Sequence, residues 1–178
     1  RGIAVRGPNR VLRSGNLSPE TRLALDQELA DHDDPMWFVK VLKTERAYSL
    51  DASADLFPHF PVTWQGRLLK ADILRMYEDL LPILAKPWHE SRYELRVPFN
   101  RSYSTPVSTS MIKLYTPALN AAHEAYHRTI AQIRCLRILN ALQAYNETNG
   151  HEADSLDDLN LPAEALLDPF DGQQLKLD

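Results

Sequence analysis

At 178 residues, with 44% hydrophobic and 25% charged residues, the chain is long enough for one domain with a core of its own, or for a domain with an appendage. A formal net charge of -4 favours solubility and argues against broad nucleic-acid binding, and the single cysteine, Cys135, excludes an internal disulfide. No run approaches the ~20 apolar residues of a membrane-spanning helix.

Residues 1–16 hold Arg1, Arg6, Arg10 and Arg13 ahead of the first acidic residue, Glu20. They read as a solvated basic arm or loop, with a segment lying near an anionic membrane surface as the sharper alternative. The chain starts at Arg1 rather than Met and shows no signal peptide, so an anchor or signal upstream of Arg1 stays open. Residues 17–178 are expected to form a single helical domain.

Ser18-Pro19-Glu20 starts the first helix, with serine as N-cap, proline in the first turn and an acid behind it. Leu23, Leu25 and Leu29 supply its apolar positions, and Asp31 to Asp34 stop it. Asp34-Pro35 repeats the signal for a second helix through Trp37, Val41, Leu42 and Tyr48 to about Leu50. That helix carries Glu45-Arg46, read as a buried ion pair bracing the core or as surface charges. Phe57 to Pro61 is a proline-bounded linker. Leu68 to Leu81 is amphipathic, and Pro82 is expected to kink or end that helix. Trp37, Trp64, Trp88, Phe57 and Phe60 read as core and linker anchors.

Pro87 to Tyr115 reads as a long irregular connection, with Tyr93 to Val97 as a candidate short strand. Thr116-Pro117 then opens a helix without internal Gly or Pro up to Asn149, roughly 45–50 Å long. Leu119, Ala122, Tyr126, Ile130, Ile133 and Leu136 mark its buried stripe, continuing through Leu139, Leu142 and Tyr145. Cys135 reads as a small buried hydrophobe rather than a nucleophile. Asn149-Gly150 ends the helix. Residues 150–178 form a small irregular cap. In it Ser155 to Leu159 is a short helix or turn, Asp168-Pro169-Phe170-Asp171-Gly172 is turn chemistry, and Leu175 to Leu177 is a candidate terminal strand. The expected fold is mainly α: a helical bundle packed along one long C-terminal helix.

Two chemistries compete for the long helix. His123-Glu124-Ala125-Tyr126-His127 is an H-E-x-x-H pattern, which sets two imidazoles one turn apart with a glutamate placed to activate a zinc-bound water. The alternative reading is therefore a zinc metallohydrolase resembling thermolysin, with His123 and His127 as ligands, Glu124 as base and Glu147 of Asn146-Glu147 as third ligand. It requires a break in the helix near Asn140. Without a break Glu147 lies ~30 Å from His127. The favoured reading has no catalytic residue and no cofactor. It takes His123 as a boundary side chain of the apolar stripe.

From about Ala131 to Lys176 the chain is similar to a more specific pattern. Leu139 to Tyr145, Asn149-Gly150, Ser155 to Leu159 and Asp168 to Gly172, in that order, resemble the C-terminal part of type II secretion pseudopilins and of bacterial envelope-associated proteins of unassigned function. The expected Tyr-Pro after the glycine is Glu152-Ala153 here, and the pseudopilin methylation motif is absent. The resemblance implies an extracytoplasmic, membrane-tethered helical domain, and no activity. It implies a protein partner or self-association, no nucleic acid, and a tether through residues upstream of Arg1. A calcium site at Asp168 and Asp171 is the functional alternative to a structural turn, although two carboxylates are few for a shell of six to eight oxygens.

Overall fold

The computed structural model describes residues 17–56, 64–95 and 102–176. The basic arm, Phe57, Phe60 and the ends of the two candidate strands lie outside the described residues. The fold is mainly α, with five helices among the described residues: α1 (Pro19–His32), α2 (Trp37–Leu56), α3 (Trp64–Leu84), α4 (Trp88–Glu94) and α5 (Pro106–Asn149). Two 3₁₀ turns, Leu156–Leu159 and Ala163–Leu166, follow. Among the described residues there is no strand, only an isolated antiparallel bridge between Leu167 and Gln174.

The long helix starts about ten residues earlier than its sequence suggests. Thr105 caps it: its Oγ1 accepts the Ser108 N–H at 3.0 Å, and Pro106 fills the first helical position, where a missing N–H costs nothing. Ile112, 1% exposed, then commits this turn to the core. Pro117 lies inside the helix on an exposed face. Packing of Ile112 outweighs the one lost backbone bond, so a proline that looks like a start signal is an interior residue. Pro82, expected to kink or end its helix, lies in the last turn of α3, two residues before that helix ends at Leu84. The candidate strand at Tyr93 to Val97 is corrected too: Tyr93 and Glu94 are the last residues of α4, and Leu95 turns off it into the core.

The chain divides into two compact units, residues 35–126 and residues 1–34 with 127–178. In the first, α2 packs on α3 and α3 on α4. Its core joins Phe38, Val39 and Leu42 of α2 to Met76, Tyr77, Leu80 and Leu84 of α3, with Leu95 and Ile112. Asp72, wholly buried on α3, accepts the Ser104 N–H at 2.9 Å and its hydroxyl at 3.0 Å, which fixes the chain at the approach to α5. Trp37 and Trp64 are exposed rather than core anchors, and Trp88 is half-buried. Glu45 is exposed and Arg46 half-buried.

In the second unit the cap folds onto the end of the long helix. Leu156, Leu159 and Leu166 close on Ile138, flanked by Ala141, Leu142 and Tyr145. Gly150 takes φ +75° and donates to the Asn146 carbonyl at 2.8 Å, a left-handed stop that L-residues adopt only with strain. Ser155 and Asp158 form a reciprocal capping box on the first 3₁₀ turn. The apolar stripe of α5 is structural: Ile133 and Leu136 are buried, whereas Leu139 is half-buried. Leu136→Ala should therefore lower unfolding free energy in urea by about 2–5 kcal/mol, and Leu139→Ala by clearly less.

Candidate functional site

The H-E-x-x-H stretch lies in the middle of α5, and each histidine is held by different neighbours. His123 is not a boundary residue: it is 1% exposed. Its ring stacks on Phe38 at a centroid distance of 5.1 Å and meets Trp88 at 5.0 Å. Tyr126, one turn on, stacks on Phe38 at 5.6 Å and on Trp37 at 5.8 Å. An imidazole thus serves as one plate of an aromatic layer, where flat rings gain dispersion and quadrupole attraction together. The sequence pattern does not reveal this, because histidine carries no burial signal of its own.

His127 faces Phe170 of the cap at 6.4 Å. Burial, with the Arg134 cation adding to it, lowers its pKa from 6.5 to about 4. The ring is neutral at pH 7, and the sign of its effect on stability follows. The unfolded chain binds a proton near pH 6.5 that the folded chain resists until about pH 4. Stability from this group is fully present above pH 6.5 and is lost as pH falls through that window. Solvent reaching the half-buried ring screens part of the effect, leaving about 1–2 kcal/mol. Urea titrations at pH 7 and pH 4.5 should show His127→Phe losing less stability on acidification than the wild type.

Glu147, the alternative third zinc ligand, is on the same unbroken helix as His127, twenty residues on and so ~30 Å away. Its carboxylate takes Arg22 of α1, with Nε at 3.2 Å and Nη2 closer still. Asn140 does not break α5. It is 4% exposed, donates from Nδ2 to the Arg22 carbonyl at 3.0 Å and accepts from Arg22 Nη1 at 3.4 Å. Glu124 is half-buried, between the two histidines in sequence. Among the described residues no group of three or more His, Cys, Asp or Glu is placed to hold a metal ion.

Arg22 opens a feature that the sequence reading misses. Where apolar residues are expected to carry α1, Leu23 is 71% exposed and Arg22 only 4%. Arg134 and Arg137 of α5 are buried beside it in the same unit. Arg134 Nε grips Asp33 at 3.1 and 3.2 Å, and its Nη1 donates to the Leu167 carbonyl at 2.8 Å. Arg137 Nε donates to Asp26 at 2.9 Å, and its Nη1 lies 3.7 Å from Asp33. Arg22 Nη1 also donates to Gln143 at 2.9 Å. Three guanidiniums thus meet Glu147, Asp33 and Asp26, and the seam is electrically balanced. Arginine suits it because the planar fork satisfies two carboxylate oxygens at once. Two spacings carried the signal: Arg134-Arg137-Asn140 at every third residue on an apolar stripe, and Asp26 on α1 seven residues before Asp33 at its C-cap.

Beside this seam an open cleft of about 640 Å³ is lined by Arg22, Asn140 and Glu147, with Leu23, Tyr145 and Leu161 among its apolar walls. The polar groups at its base are already bonded to one another, so they act as struts of the helix pair.

In the cap, Asp168 Oδ1 accepts the Phe170 N–H at 2.8 Å and Asp171 Oδ1 accepts the Gln173 N–H at 2.8 Å. Gly172, at φ +73°, donates to the Asp168 carbonyl at 2.8 Å. Both carboxylates hold the turn itself. Cys135 is exposed on α5, which corrects its reading as a buried hydrophobe; partial burial and nearby Asp168 raise its thiol pKa. No helix among the described residues is long and apolar enough to cross a membrane. No protein-family model, curated protein or solved structure matches the chain.

Proposed function

We propose that this chain is a non-enzymatic helical domain of the bacterial envelope that works through protein–protein contacts. The observation that carries the contact role is the exposure of large apolar side chains on residues 35–126: Trp37, Tyr48, Trp64, Tyr93 and Leu114 all face solvent. Aromatic groups held out of the core are what contact surfaces use as anchors. The buried polar groups supply the complementary half of the argument. Arg22, Asp33, Arg134, Arg137 and Asn140 are engaged in joining helices; half-buried Asp168 and exposed Asp171 shape a turn. The envelope setting rests on the ordered C-terminal pattern from Leu139 to Gly172, with a tether upstream of Arg1. Fractionation of the full-length protein tests that setting. Recovery with membranes or the extracytoplasmic fraction is expected, and a purely cytosolic protein would overturn it.

A further inference from the structure

Charge is segregated along this chain. Residues 1–19 carry four arginines and no acid, whereas Ile138 to Leu175 carry eight acidic residues and no Lys or Arg. The open cleft of about 640 Å³ is built from the acidic stretch and from the start of α1, into which the basic stretch runs. Asp26, Glu147 and Asp158 line it against one cation, Arg22. Arg22 is buried at the base and paired with Glu147, so the rim is left acidic: Glu147 is 45% exposed and Asp158 is exposed. Leu23, Tyr145 and Leu161 set apolar walls between these carboxylates.

We infer that this cleft is the docking site of the chain's own basic arm, residues 1–16, which lies outside the described residues. Tether, composition and concentration select that occupant. Pro19 is itself a lining residue, so the arm leaves from the rim of the cleft. Along α1 the cleft runs ~10 Å from Pro19 to Asp26. The six residues from Arg13 to Pro19 reach up to ~20 Å when extended, so Val11, Leu12 and Arg13 can turn back over it. Val11-Leu12 is an apolar pair flanked by Arg10 and Arg13, which matches apolar walls inside an acidic rim. A segment tethered this closely is present at an effective concentration of about millimolar, which a separate basic peptide would have to exceed. The inference goes beyond the contact role proposed above and does not rest on it. It replaces the solvated arm of the sequence reading with one held by charge and apolar contact together.

Limited trypsin digestion of the whole chain, read by mass spectrometry at Arg10 and Arg13, provides the test, with a synthetic peptide of residues 1–16 as the unprotected reference. Cleavage at these sites should be about tenfold slower in the protein than in the peptide, because it tracks the undocked population. The difference should hold at ~20 mM salt and shrink at ~500 mM, where the rim charges are screened. Leu23→Lys removes an apolar wall and adds a like charge, so it should bring cleavage to the peptide's rate; its melting curve should not change, since Leu23 is 71% exposed. Asp158→Asn keeps an oxygen for the Ser155 N–H and loses only the charge, so it serves as the second variant if Leu23→Lys fails to fold, and should speed cleavage several-fold. Wild-type cleavage at the peptide's rate means a solvated arm and overturns the docking. Protection that survives both substitutions puts the arm elsewhere and overturns it too. So does protection that appears only when phosphatidylglycerol vesicles are added, the mark of an arm that lies on an anionic membrane.

Discussion

Asp33→Ala should destabilise the chain by about 3–5 kcal/mol, read as a shift of the urea midpoint. Asp33 is 6% exposed at its side chain and faces two buried guanidiniums, Arg134 and Arg137. Truncation leaves those cations in a low-dielectric seam with less charge to oppose them. The desolvation already incurred is then no longer offset. Solvated pairs behave differently. Lys86 and Glu94 approach to 2.7 Å, but their side chains are 41% and 44% exposed. Glu94→Ala should cost under about 1 kcal/mol, because water and salt screen an exposed pair. If the two substitutions cost the same, the seam is not what joins α1 to α5. Replacing Asp26, Asp33, Arg134 and Arg137 together by well-packed apolar residues should cost far less than Asp33→Ala alone, since each charge leaves with its counter-ion.

His123→Ala should cost about 2–4 kcal/mol, comparable with truncating a core aliphatic residue. The sequence-level expectation is a small effect, because it places His123 at the edge of the stripe. The structure places the ring between Phe38 and Trp88 with 1% exposure, so its removal opens a cavity and breaks an aromatic layer. His123→Phe keeps a flat ring and should recover most of the loss in a thermal melt. A metal ligand behaves in the opposite way: phenylalanine would be as damaging as alanine.

How far the sequence reveals this molecule depends on what each residue's local pattern can say. The mainly helical fold, the length of the final helix beyond Tyr115, its stop at Gly150 and the leucines of the cap follow from periodicity and turn chemistry, which act over a few residues. The start at Pro106 does not. It depends on Thr105 capping and on Ile112 finding a core built by α2 and α3, and the second of these is a tertiary event. The proline at 117 misleads for the same reason: one lost backbone bond is small beside the burial gained around it. The seam at Arg22, Arg134 and Arg137 is invisible to a hydrophobic pattern, because charged side chains on a buried face read as errors in the stripe. Its members lie more than a hundred residues apart in sequence for each bond. The H-E-x-x-H motif fails in the opposite direction. Five residues match a chemistry, while the geometry of that chemistry depends on a helix break that Asn140, bonded across to Arg22, does not provide.

The central claim is that this motif is a packed segment of one continuous helix rather than a metal centre. Metal analysis of the full-length protein, purified without chelator and melted with and without added zinc, tests it most directly. The account predicts substoichiometric zinc, an unchanged melting temperature on adding the ion, and His123→Ala destabilised equally in both conditions. One zinc per chain that disappears in His127→Ala, with a zinc-dependent rise in the wild-type melting temperature, would contradict it.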